Sequence, residues 1–63
     1  MQAHEIERYR TTFQIWHLEC AIAGRQRLAE QVPDWRDWHL QYVAWYRADL
    51  RELQAKLDML EQL

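Results

Sequence analysis

The chain has 63 residues, and among them are no serine, no asparagine, one glycine and one proline. Reverse turns and linkers are built mainly from those residue types. A chain so poor in them has almost nowhere to change direction. The expectation is long helices with a single break.

The break falls at Val32-Pro33-Asp34. A proline disfavours the helical conformation of the residue before it, so a first helix must end near Gln31 or Val32. Asp34 is then placed to cap the second helix, and Asp37 adds negative charge in its first turn, where the helix dipole favours it. The expected boundaries are a first helix over about residues 3–31, a turn at 32–34 and a second helix over about 35–61. So short a connection folds the helices back on each other, antiparallel. Thr11 followed by Gln14 has the spacing of a capping box, which leaves a helix start near Thr12 as an alternative. The apolar spacing of Ile6, Tyr9 and Phe13 runs through that point and favours one continuous helix.

The second helix carries a heptad seam. Val43, Leu50 and Leu57 recur every seven residues, with Tyr46, Leu53 and Leu60 between them. His39 and Trp35 extend the seam towards the turn. This is the pattern of coiled-coil-like packing. Glu52 and Lys56 form an i,i+4 pair away from it. The first helix has two apolar stripes. One is Ile6, Tyr9, Phe13, Trp16 and Cys20, continuing to Gly24 and Leu28. The other is Ile15, Leu18, Ile22 and Ala29, about 160° away at 100° per residue. One stripe can pack on the second helix, and the other then needs a cover. Ile15, Leu18 and Ile22 are assigned here to self-association. The expected fold class is all-α: a two-helix antiparallel hairpin, coiled-coil-like, with a four-helix bundle expected as its homodimer.

Size points the same way. A chain this short buries only about 60% of the surface its unfolded form exposes, and small domains usually add disulfides, a metal or a partner. Cys20 is the only cysteine, so no disulfide forms within the chain, and a lone thiol suits a reducing compartment. No apolar run approaches the roughly 18 residues of a membrane span. The first residues lack the basic start and apolar core of a signal peptide. The expected location is the cytoplasm.

Trp35, Trp38, Tyr42, Trp45 and Tyr46 form an aromatic run at helical spacing. Trp38 and Trp45 lie on one line, with Tyr42 between them, about 100° off the centre of the seam. Rigid rings bury much area at little entropic cost and dominate interface hot spots. Trp38, Tyr42 and Trp45 are therefore candidate partner-binding residues; the alternative is that they fill a homodimer core. Trp35 and Tyr46 fall with the leucine seam and are expected inside the hairpin. Gly24, within the first helix, costs about 1 kcal/mol relative to alanine. A large neighbour such as Tyr42, Trp45 or Tyr46 approaching its backbone would explain it.

Signals for chemistry are few. His17 and Cys20 have a spacing that can ligate a metal, but no further ligands are apparent, and Cys20 is expected to be a small buried hydrophobe. There is no serine nucleophile and no glycine-rich phosphate loop. His17 and Glu19 are two apart, so they do not face each other on a helix. Two helices also have little means of shaping a water-excluded pocket. The chain is read as a non-enzyme with no cofactor and no metal. The net charge is −2, too small for a DNA mimic. Arg8, Arg10, Arg25 and Arg27 in the first helix, with Arg47 and Arg51 in the second, are diluted by Glu5, Glu7, Glu19 and Glu30. They read as solvated rather than as the basic stripe of a nucleic-acid binder; a dimeric hairpin regulator of RNA is the alternative.

The segment from Leu50 to Leu63, and the pattern Leu18-Glu19, Gln41-Tyr42, Trp45 and Arg47, resemble the small co-chaperones of type III secretion needle subunits. The resemblance covers about half the chain and rests on leucine spacing. It implies a helical hairpin that joins a helical-repeat chaperone to keep a needle subunit soluble in the cytoplasm. The turn here is Pro-Asp based, and no residue role is carried over. Dimeric plasmid RNA regulators and phage-encoded inhibitors of host proteins share the size and shape by analogy. The functional expectation is a small protein-binding module: an adaptor, a co-chaperone or an inhibitor.

Overall fold

The structure, a computed structural model, describes residues 2–63. Helix α1 spans Ala3–Gln31 and helix α2 spans Arg36–Glu61, with a short 3-10 turn, Pro33–Trp35, between them. The two helices pack side by side and antiparallel, and no strand occurs among the described residues. The hairpin measures 48 × 17 × 11 Å. Its radius of gyration is 14.6 Å, against about 10.6 Å for a globular domain of this length.

Helix α1 runs through Thr11-Thr12 without interruption. The Thr12 hydroxyl donates to the Arg8 carbonyl at 2.8 Å, the back-bond of a threonine inside a helix. The helix ends where Pro33 requires it to. Val32 leaves the helical region at φ −126°, ψ 79°, and its N–H still closes on the Leu28 carbonyl at 2.9 Å. Asp34 does not cap α2. Pro33 opens the 3-10 turn, and Trp35 N–H donates to the Val32 carbonyl at 3.0 Å. The turn runs directly into α2, so the helix needs no extended capping residue.

The α2 seam is as expected from His39 to Leu60. His39 and Val43 are buried, and Tyr46, Leu50, Leu53, Leu57 and Leu60 are partly buried. Trp35 is a correction: it is 57% exposed. It sits in the 3-10 turn rather than in α2, where the seam's periodicity no longer applies.

Helix α1 presents Thr11, Ile15, Leu18, Ile22, Arg25 and Ala29 to α2. Thr11, Ile22 and Ala29 are buried, and the other three are partly buried. The spacing alternates four and three, the rhythm of a helix-packing seam. Ile15, Leu18 and Ile22, assigned above to self-association, are therefore spent inside the hairpin. The stripe left outside is the aromatic one, with Ile6, Tyr9, Phe13 and Trp16 all exposed. At the open end, Lys56 reaches across to Glu7 at 3.2 Å rather than pairing with Glu52.

Candidate protein-binding site

Trp38, Tyr42 and Trp45 stand on one flank of α2, beside the seam. Their rings meet edge to face. Trp38 and Tyr42 are 5.0 Å apart at 74°, and Tyr42 and Trp45 are 5.2 Å apart at 82°. Trp35 joins the row through Trp38 at 5.8 Å and 75°. Perpendicular packing of this kind sets a positive ring edge against a negative ring face. Trp38 is 48% exposed and Trp45 55%, whereas Tyr42 is partly buried. The result is a ridge of three tryptophans with a tyrosine at its root.

Arg25 pins this ridge from the other helix. Its guanidinium carbon lies 4.1 Å from the Tyr42 ring centroid and 5.0 Å from that of Trp38. Its Nη1 is 3.1 Å from Nδ1 of His39. A guanidinium only donates, so in this contact Nδ1 is the accepting nitrogen. His39 also packs its ring against Trp38 at 5.0 Å. Nothing in the composition of the arginines singles out Arg25. Its position does: it falls between Ile22 and Ala29 on the inner stripe of α1, where a charge requires a partner.

A second aromatic patch lies on α1. Phe13 packs on Trp16 at 5.8 Å and on His17 at 4.6 Å, and Trp16 meets His17 at 5.2 Å. His17 is thus part of an aromatic cluster. Cys20 continues this stripe and is exposed, not buried as expected, because the stripe that carries it faces away from α2. Among the described residues no group of three or more His, Cys, Asp or Glu side chains is arranged to hold a metal ion. No helix of the described residues is long and apolar enough to cross a membrane.

Gly24 has no large neighbour. A Cβ built there meets nothing within 4 Å, because Gly24 continues the stripe of α1 that faces away from α2. The arginines do not form a stripe. Arg10 is paired with Glu7 at 3.0 Å, Arg25 is stacked on the ridge, and Arg8 and Arg27 project from other sides of α1 by helical phase.

No protein-family model matches the sequence, and no curated protein or solved structure matches it.

Proposed function

We propose that the chain is a non-enzymatic protein-binding module that docks another protein through the Trp35–Trp38–Tyr42–Trp45 ridge. The observation that supports this reading is the pinned, half-exposed row of rings. Tryptophans left singly on a surface are ordinary. Three of them in one edge-to-face row with Tyr42, braced by Arg25 at Trp38 and Tyr42, form a preorganised hot-spot cluster. Three of its four rings, Trp38, Tyr42 and Trp45, stand on α2 and not on a loop, so little conformational entropy is lost on docking. An adaptor, a co-chaperone and an inhibitor would all use such a ridge. The co-chaperone variety is supported by leucine spacing alone.

The test is a comparison of matched variants. Trp38 and Trp45 are replaced together by Ala, and exposed Met59 is replaced by Ala as a control. Each protein is used to capture partners from the native host, with quantification by mass spectrometry. The expected result is that specific partners are lost from the tryptophan variant and kept by the methionine variant, with helicity by circular dichroism equal in all three. Equal capture by both variants overturns the reading. Loss of helicity in the tryptophan variant would make the rings core, and would overturn it too.

A further inference from the structure

The outer stripe of α1 is a second helix-packing seam. Ile6, Tyr9, Phe13, Trp16, Cys20 and Ala23 follow one another at spacings of three and four. None of the six is charged, and the stripe lies opposite the face that packs on α2. We propose that this seam is the contact with a second copy of the chain, and that the two α1 helices run parallel.

Two observations select a second copy. The first is area. The chain exposes 5026 Å², whereas a globular monomer of its mass exposes about 4,400 Å². The excess is of the order of the roughly 800 Å² that each partner buries in a standard interface. The second is charge. In the heptad of this seam, Glu5, Thr12 and Glu19 border it on one side, and Arg10, His17 and Gly24 border it on the other. In a parallel pair, the residue on the first border faces the residue five positions later on the other helix. Glu5 then meets Arg10 of the second copy, and the two-fold axis generates the same pair again. An antiparallel pair sets each border against its own copy. Glutamate then faces no arginine in any register. Arg10 is now held only by Glu7, through an exposed i,i+3 contact at 3.0 Å, and such pairs contribute little. Glu7 retains Lys56 at 3.2 Å when Arg10 turns outward.

Parallel pairing places like residues opposite each other across the axis: Phe13 on Phe13, Trp16 on Trp16, Cys20 on Cys20. Each α2 then lies outside its own α1. The assembly is a flat row of four helices with both tryptophan ridges uncovered. This surface is distinct from the ridge, and its test is separate.

Sedimentation equilibrium and short thiol cross-linking test the proposal. The chain is expected to dimerise at tens of micromolar, with a melting temperature that rises with concentration. A bismaleimide should link Cys20 to Cys20. In a Cys20→Ser background, Ile6→Cys and Ala23→Cys should each link to their own copies. These positions are about 25 Å apart along the helix, so both link only if the helices are parallel. Glu5→Lys should raise the dimer dissociation constant several-fold, and adding Arg10→Glu should restore it. A monomer at tens of micromolar overturns the proposal. Linkage at residue 20 or 23 without linkage at residue 6 makes the pair antiparallel and overturns it as well. Replacing Trp38 and Trp45 by Ala should leave the dissociation constant unchanged, so the ridge and the seam succeed or fail independently.

Discussion

Arg25 of α1 lies over the ring of Tyr42 of α2, with its guanidinium carbon 4.1 Å from the ring centroid. This contact ties the two helices near the turn and holds the root of the tryptophan ridge. A cation over an aromatic face contributes about 0.5–2 kcal/mol depending on desolvation. Arg25 is only partly buried, which places it towards the lower part of that range. Arg25→Ala is therefore expected to destabilise the hairpin by about 1 kcal/mol, with Arg25→Lys recovering part of the loss. A urea double-mutant cycle with Tyr42→Leu measures the pair itself. Additive effects in that cycle would remove the contact from the account.

Thr11 is the one fully buried polar side chain of the seam, at 0% exposure, and its hydroxyl oxygen has no hydrogen-bond partner. An unmatched buried hydroxyl costs about 1–3 kcal/mol. Thr11→Val keeps the shape and removes the polar atom. It should raise stability by about 1 kcal/mol, read as a higher urea midpoint. A lower midpoint would show that the hydroxyl is satisfied in solution.

Gly24 sits in open space inside α1. Gly24→Ala adds helix propensity of about 1 kcal/mol without a clash, which is about 4–8 °C in melting temperature for a chain of this size. Thermal denaturation at fixed concentration checks it. A fall in melting temperature would mean that a neighbour packs against the bare backbone in solution.

Spacing places Val43 and Trp35 on one seam, yet they have opposite environments, 3% and 57% exposed. Val43→Ala should cost about 2 kcal/mol through lost burial. Trp35→Ala should cost less than about 1 kcal/mol, since the ring gives up only its packing on Trp38. Equal costs for the two substitutions would return Trp35 to the core.

Much of the fold is legible without the third dimension. The helix boundaries follow from Pro33 and from the lack of other turn-forming residues, which act on neighbouring backbone alone. The α2 seam from Val43 to Leu60 is legible because α2 has a single apolar face. The ridge of Trp38, Tyr42 and Trp45 is legible as a flank for the same reason: its phase relative to the leucines is a property of one helix. Arg25 escapes this reading. Its partners His39 and Tyr42 lie on the other helix, and no local spacing connects them.

The amino-acid sequence by itself thus determined two helices, one break and the inner face of α2, because sterics and helical period operate within each segment. The tertiary structure decided which of the two apolar stripes of α1 turns inward. Both have the helical period, so period cannot choose between them. Fit can. Packed helices lie about 8–10 Å apart. The stripe with Thr11 and Ala29 is slim enough to close against the leucines of α2, and it brings Arg25 to a ring and an imidazole that can receive it. The stripe with Tyr9, Phe13 and Trp16 brings no such partners to α2 and remains on the outside.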